Sequence, residues 1–147
     1  VFTAAGINPK EMQIVLIEDR ELNAGTASTK LIGINTGLIQ ETKNPNELIG
    51  VMAHETGHAA GGHTVRGEAE MQRAAMNPLL LTLGLGLLAV AAGAPDAGAA
   101  LLGSSGYFAT LGALGYSRQQ ESRADQAAVT YLEKAGESSR GLVEFFD

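Results

Sequence analysis

The 147-residue chain has no cysteine, only three histidines, and ten lysines and arginines against sixteen aspartates and glutamates. Without cysteine it forms no disulfide, offers no thiol nucleophile, and must build any metal site from nitrogen and oxygen ligands. The net charge of −6 argues against a basic face for a nucleic-acid backbone, so we expect no nucleic-acid partner. The length suits a single domain with a sizeable core.

The first sixty residues combine strand and helix signals. Short apolar runs rich in β-branched residues predict two strands at 12–18 and 30–36, separated by the turn-rich segment 19–28. A short helix is expected at 38–43. The stretch NPNE at 44–47 supplies a capping side chain, a proline at the first helical position and a glutamate at the third. It predicts a helix that runs to the Gly-Gly pair at 61–62 and can resume beyond it.

A weakly polar segment follows, with Asp96 the only charged residue between Arg73 and Arg118. The turn sequence GAPDAG divides it, which predicts a helical hairpin at about 78–116. The run at 79–94 has 16 residues, about 24 Å of helix, which is short of the roughly 30 Å hydrocarbon core of a bilayer. A buried or lid-forming hairpin is therefore favoured. A membrane-interacting hairpin, peripheral or spanning, stays open as the alternative.

The last forty residues predict two more helices. The first runs over 116–135 and ends at Gly136, and the second begins near Ser138. Phe145 and Phe146 in the second have no evident partner within the chain. Helical spacing places one set of residues of the 116–135 helix on a common, largely apolar face: Glu121, Ala124, Asp125, Ala128 and Leu132.

All three histidines lie within the stretch HETGHAAGGH, residues 54–63. His54 and His58 are four residues apart on the predicted helix, so their rings share a face and can bind one metal ion. Glu55 follows His54 directly and is angled aside, where a carboxylate can reach a water at the metal instead of binding the metal itself. The spacing is that of the HExxH motif of zinc peptidases. This motif fixes only three positions, so it also occurs by chance.

His63 fits this arrangement poorly. On an unbroken helix it lies about 900° beyond His54, on the opposite side. We expect it near the helix end, where an imidazole can bond free carbonyl groups. If Gly61 and Gly62 redirect the backbone, His63 stays open as a third ligand. The metzincin pattern has such a third histidine, but one position later, where this chain has threonine.

A catalytic zinc generally has three protein ligands, so a carboxylate is needed. Glu121 and Asp125 are on the face predicted to point inward, where Glu121 would bind the metal and Asp125 would orient a ligand histidine. The alternative is that both form ion pairs with Arg118 or Arg123 on an exposed helix. Glu68 and Glu70 are closer in sequence to the histidines but are expected to be solvated.

The paired motifs, HETGH at 54–58 and SRQQESRAD at 117–125, resemble the HExxH and ExxxD motifs of the gluzincin family that contains HtpX, the CAAX prenyl endopeptidase and the BepA-type periplasmic proteases. The resemblance covers roughly residues 20–146. It implies one zinc ion per chain, bound by His54, His58 and Glu121. It also implies that Glu55 is the catalytic acid and base and that Asp125 orients a ligand histidine. Further protein is expected beyond residue 147, since many such proteases continue into a helical repeat domain.

The resemblance implies a mainly helical α+β zincin-like fold, with a small N-terminal sheet on the active-site helix and the hairpin inserted between the two motifs of one catalytic domain. It also implies zinc-dependent hydrolysis of extended polypeptides in cell-envelope quality control, in the periplasm or envelope, soluble or peripheral, with a membrane-anchored form as the alternative. Substrate is expected to pair with strand Leu31–Asn35 (Leu31, Ile32, Gly33, Ile34 and Asn35) if that strand is at the sheet edge. A non-catalytic zinc-binding, chaperone-like module and a membrane-interaction module remain alternatives.

Overall fold

The computed structural model describes residues 1–146, and for residues 64 and 65 it describes the backbone alone. Two single turns of 3-10 helix, Thr3–Ala5 and Pro9–Glu11, precede the sheet. The strands and helices that follow in the described residues are β1 Gln13–Ile17, β2 Ala24–Ser28, β3 Leu31–Asn35, α1 Thr36–Glu41, α2 Pro45–Gly61, α3 His63–Ala91, α4 Pro95–Ala135 and α5 Arg140–Phe146. The mainly helical α+β fold expected from the sequence is confirmed.

The sheet has the order β1-β3-β2, so β3 is its central strand. β1 pairs with β3 in parallel and β2 pairs with β3 antiparallel. The two strands predicted from their apolar runs are β1 and β3. β2 falls in the segment expected to be a turn, because its sequence AGTAS has small residues in place of a β-branched run.

The chain divides into two compact units, one formed by residues 1–66 and residues 120 onward, the other by residues 67–119. In the first unit, α2 has an apolar cluster on each of two sides. One apolar cluster joins it to the sheet and α1 through Ile32, Ile34, Leu38 and Val51. A second joins it to α4 and α5 through Ala53, Ala128, Leu132 and Leu142. The histidine motif therefore lies on the central helix of this unit.

The ends of α2 are those that its sequence predicts. Asn44 caps it: the side-chain oxygen accepts a hydrogen bond from the backbone N–H of Glu47 at 3.1 Å. The Glu47 carboxylate accepts in return from the N–H of Lys43 at 2.7 Å. At the other end Gly62 adopts φ +63°, a left-handed conformation that glycine allows at little cost, and α3 begins at the next residue.

α5 packs on α2 through two glycines. A Cβ on Gly141 would meet the backbone of Asn46, and one on Gly50 would meet the backbone of Leu142 at 2.6 Å. This close approach places Phe145 against the apolar cluster of Ile32 and Phe146 near α2. The expectation that the two phenylalanines lack a partner is wrong, because the partners lie far away in sequence.

The second unit is a hairpin of α3 and α4, closed by a turn in which Gly93 has φ +86°. The predicted hairpin is thus present, but its helices are longer than expected. α3 continues through Pro78, and α4 runs without a break from Pro95 to Ala135, so a separate helix starting at residue 116 is wrong. A buried hairpin is also wrong for the described residues, since most of its leucines are exposed.

Candidate metal centre

His54 and His58 point the same atom toward one place. Both side chains project from the middle of α2, and their Nε2 atoms are 3.0 Å apart. Both are largely shielded, with relative side-chain exposures of 10% and 16%. Two neutral imidazoles that converge in this way are the donors that a divalent transition metal uses.

Glu121 on α4 completes the group. Its Oε2 atom lies 3.3 Å from His54 Nε2 and 3.6 Å from His58 Nε2. These three residues are the one group of potential ligands found in the described part of the chain, with candidate donor atoms within 4.8 Å of one another. Glu68 is exposed, and Glu70 accepts a hydrogen bond from the Tyr116 hydroxyl at 2.7 Å within the second unit.

Gly57 explains how α4 comes this close to α2. A Cβ at this position would lie 2.8 Å from the carbonyl oxygen of Ala124 and 3.0 Å from its Cα. Ala124 and Ala128 are fully buried in the same interface. A small residue on each helix therefore permits backbone contact, and the contact holds Glu121 beside the two histidines.

Asp125 lies one turn beyond Glu121 and contacts His54 from behind. Its Oδ1 atom is 2.9 Å from His54 Nδ1, the ring nitrogen that faces away from His58 and Glu121. The prediction that Glu121 and Asp125 are buried is wrong: their side chains are 57% and 56% exposed. They lie at the rim of the α2–α4 interface, and the apolar part of their helical face is formed by Ala124, Ala128 and Leu132.

His63 is not on the far side of the motif. Its Nδ1 atom is 3.0 Å from His58 Nδ1, and the two rings meet edge to face at 5.1 Å. The left-handed residue Gly62 ends α2 and turns the chain, so the unbroken-helix geometry does not apply. His63 lies at the end of α2, as expected, and it contacts the His58 ring. It is also outside the group of convergent ligand atoms and contacts the outer nitrogen of His58.

Glu55 is buried beside the motif and is held by the sheet. The Thr26 hydroxyl on β2 lies 2.8 Å from Glu55 Oε2 and 2.8 Å from the Glu55 backbone oxygen. A carboxylate has two oxygens with several acceptor positions, so this contact orients Glu55 without removing its capacity to accept a proton. Sequence reasoning missed Thr26 because the strand that carries it resembles a turn.

Phe146 forms part of the surroundings of His54. The two rings lie 5.8 Å apart between centroids and are tilted by 53°. Phe146 therefore lies against the His54 imidazole, at the end of α5. Sequence reasoning missed this residue because no local signal connects the two positions.

The structure overturns the expectation that strand Leu31–Asn35 pairs with substrate. β3 is hydrogen-bonded to β1 on one side and to β2 on the other, so its main chain is already paired. Ile32 and Ile34 also face the core, with 0% and 3% exposure. Leu31, Gly33 and Asn35 alternate with them and line a surface cavity of about 380 Å³ on the sheet.

Comparison with known proteins decides the family. The profile of peptidase family M48 matches residues 1–146, nearly the whole chain. The chain belongs to peptidase family M48. This confirms the family indicated by the HETGH and SRQQESRAD motifs.

Named relatives of this M48 chain agree. It is 31% identical over 131 residues to the putative beta-barrel assembly-enhancing protease of Vibrio cholerae, covering 89% of this chain and 27% of that protein. It is 28% identical to the beta-barrel assembly-enhancing protease of Escherichia coli, covering 90% and 27%. It is 30% identical to the metalloprotease YcaL of Escherichia coli, covering 86% and 46%. The chain thus spans about a quarter of the length of the first two relatives.

Proposed function

We propose that this chain is the catalytic domain of a zinc-dependent endopeptidase that cleaves extended polypeptides. The observation that carries the proposal is the convergence of His54, His58 and Glu121 on one point, with Glu55 next to them. We further propose that the two compact units act as one peptidase domain, with the hairpin inserted between the two motifs.

The donor set suits zinc. Ligand atoms at about 2.0–2.1 Å from a tetrahedral zinc ion are about 3.3 Å apart. The three distances within the group, 3.0, 3.3 and 3.6 Å, bracket this value. Two nitrogens and one carboxylate oxygen also match the His₂Glu set of catalytic zinc sites, which leave a fourth position open.

The outer nitrogens of both histidines have partners that would set their tautomers. Asp125 can accept a hydrogen bond from His54 Nδ1–H, and His63 can accept one from His58 Nδ1–H. Each bond leaves the lone pair on Nε2, the atom that faces the proposed metal. Asp125 and His63 are therefore positioning residues in this proposal.

Glu55 is the proposed general base and acid. Zinc, when bound, supplies Lewis acidity to the attacking water and to the substrate carbonyl. Glu55 takes a proton from the water on its carboxylate and returns it to the amine that leaves. The Thr26 hydroxyl keeps the carboxylate in place during both transfers.

Substrate is proposed to bind along β2 in place of β3. β2 is an edge strand of the sheet in the described residues, and Thr26 connects it directly to Glu55. An extended peptide can add to an edge strand through main-chain hydrogen bonds, which requires little of its sequence. Pairing at β2 would bring the peptide bond near Glu55, which pairing at β3 cannot do.

The names of the relatives support a finer proposal for the biological role. Several are beta-barrel assembly-enhancing proteases, so we propose that this domain acts on proteins of the cell envelope, in the periplasm or at an envelope membrane. Its substrates would then be envelope polypeptides that expose an extended segment.

The test is the substitution Glu55→Gln, which keeps the shape of the side chain but removes its basicity. With a quenched fluorescent peptide or unfolded casein as substrate, we expect turnover to fall at least about a hundredfold. Zinc content should stay near one ion per chain. Glu41→Gln, at an exposed site on α1, is the matched control and should cleave normally. Undiminished cleavage by the Glu55 variant would contradict the proposal.

A further inference from the structure

The segment between Arg73 and Arg118 is apolar and has no role in the proposed peptidase site. We call these residues, 74–117, the apolar hairpin. Its leucines point outward to a degree that is unusual for a chain surrounded by water. Leu81 is 63% exposed, Leu87 63%, Leu88 66% and Tyr107 65%. An apolar surface of this extent marks a site of contact with another molecule or with a membrane.

The two arms of the apolar hairpin have the length of a bilayer span. On α3 the residues 74–91 form 18 residues of continuous helix, about 27 Å. On α4 the residues 97–117 form 21 residues, about 32 Å. The hydrocarbon core is about 30 Å thick. The apolar run counted from the sequence begins at residue 79, whereas α3 continues through Pro78.

The charges are distributed as a bilayer requires. Asp96 is the one charged residue in 74–117, and it lies in the first turn of α4, next to the loop that joins the arms. Arg73 and Arg118 begin the polar sequence at the opposite end of both arms. The middle of each arm therefore carries no charge, and the ends carry groups that can reach water.

Four hydroxyl groups within the arms are satisfied by their own helices. Each of these donates a hydrogen bond to a backbone carbonyl three or four residues earlier: Thr82 to Pro78 at 2.9 Å, Ser104 to Leu101 at 3.0 Å, Ser105 to Leu102 at 2.8 Å and Thr110 to Gly106 at 3.0 Å. A hydroxyl bonded in this way needs no water, which permits it to enter hydrocarbon.

The arms pack on each other through glycines. A Cβ on Gly86 would lie 2.8 Å from the Leu102 side chain and 3.1 Å from the Gly98 carbonyl, and one on Gly98 would lie 2.7 Å from the Gly86 carbonyl. Close packing at small residues leaves the large apolar side chains on the outside. This is the arrangement of helix pairs in lipid, where no hydrophobic effect drives leucines into the interface.

We propose that the apolar hairpin inserts into the hydrocarbon core of a lipid bilayer, with the Asp96 turn at one face and Arg73 and Arg118 at the other. Two other kinds of helix have such a composition, the core helix of a soluble protein and a signal sequence. The most apolar windows of α3 and α4 are only 11% and 6% buried, and they follow a folded sheet and helix. The proposal is independent of catalysis, so the inactive variant Glu55→Gln should insert equally well.

The test is flotation of the 147-residue chain with phosphatidylcholine vesicles, followed by an alkaline carbonate wash. We expect the chain to float at high salt and to resist the wash, because neutral lipid offers an acidic protein no electrostatic attraction. The double variant Leu81→Lys/Leu88→Lys should lower the bound fraction at least about tenfold, since a charged side chain at mid-span opposes insertion. Leu16→Lys/Leu22→Lys is the matched control, at sites 61% and 60% exposed in the first unit, and should float normally.

Because the chain has no cysteine, single labels give a second readout. A polarity-sensitive fluorophore on Leu81→Cys or Leu88→Cys should shift to the blue when vesicles are added, and the same label on Leu22→Cys should not. A chain that stays in the aqueous fraction would overturn the proposal. So would labels at 81 and 88 that shift without vesicles as the chain concentration rises, which would assign the surface to a second copy of the chain.

Discussion

His54 Nδ1 lies 2.9 Å from Asp125 Oδ1, across the interface between α2 and α4. The carboxylate contacts the nitrogen that the proposed metal does not use, so its effect on the metal passes through the orientation and basicity of the ring. It also ties the histidine to the same helix that carries Glu121. One contact thus links the ligands on the two helices.

The first prediction concerns this contact. Asp125→Asn keeps an oxygen near His54 but loses the negative charge that favours the Nδ1–H tautomer. We expect zinc affinity, measured by competition with a fluorescent chelator, to fall about ten- to a hundredfold while the fold is retained. Glu133→Gln, an exposed acid on the same helix, is the control. Equal zinc affinities of the Asp125 variant and the wild type would show that Asp125 does not contribute to the zinc site.

The second prediction distinguishes Glu121 from acids that are close to the histidines in sequence only. Glu121→Ala removes a proposed anionic ligand, so zinc affinity should fall by more than about a hundredfold. This exceeds the loss expected when a residue that only contacts a ligand histidine is replaced. Glu68→Ala is the matched control, because Glu68 is exposed and outside the ligand group. Zinc content after dialysis against a weak chelator gives the answer. If the Glu121 variant retained its zinc, the ligand assignment would fail.

The third prediction concerns the distance between α2 and α4. Gly57→Ala adds a methyl group that meets the Ala124 backbone at 2.8–3.0 Å, and backbone cannot rotate out of the way. We expect the free energy of unfolding to drop by about 1–3 kcal/mol and zinc affinity to fall with it, since the helices must separate. Urea titration measures the first quantity.

The control for that substitution is Gly67→Ala. Apart from its chain neighbours and the backbone of its own helix, no atom of the described residues lies within 4 Å of the added Cβ, and the position is inside α3. Replacing a helical glycine by alanine in open space should stabilise by about 0.5–1 kcal/mol. Opposite signs for the two changes are expected. Two stabilising effects would show that the helix contact at Gly57 is looser than the structure indicates.

The fourth prediction concerns His63. His63→Ala should still bind zinc, because His63 is not among the convergent ligands, but with an affinity about tenfold lower. His63→Asn places an amide acceptor near the former Nδ1 position and should restore part of the loss. ¹⁵N chemical shifts of His58 provide a readout that general destabilisation would not move, since they report the tautomer. An unchanged tautomer in His63→Ala would remove the positioning role.

Several parts of the structure could be predicted from sequence because their causes are local. The start of α2 follows from NPNE, whose capping bonds are all within four residues, and its end follows from a glycine pair. The HExxH spacing places His54 and His58 together on any regular helix. Helical periodicity likewise predicts that Ala124, Ala128 and Leu132 face inward, and they are fully buried.

The remaining parts depend on contacts between distant residues. β2 forms because β3 offers it a partner and α2 supports it through Thr26, although its own sequence has little strand propensity. Phe146 meets His54 because Gly50 and Gly141 let α5 approach α2. The degree of exposure of Glu121 is a further example: periodicity gives the direction of a side chain but not how far the neighbouring helix covers it.

The single residue between α2 and α3 has a consequence for the alignment of related sequences. Since one residue of helix corresponds to about 100° of rotation, an insertion or deletion between Gly61 and His63 would swing the His63 ring away from His58. A gap that an alignment places here therefore indicates that the contact between these two histidine rings is absent in the related protein. A relative with a different spacing must hold the outer nitrogen of its second histidine with some other group.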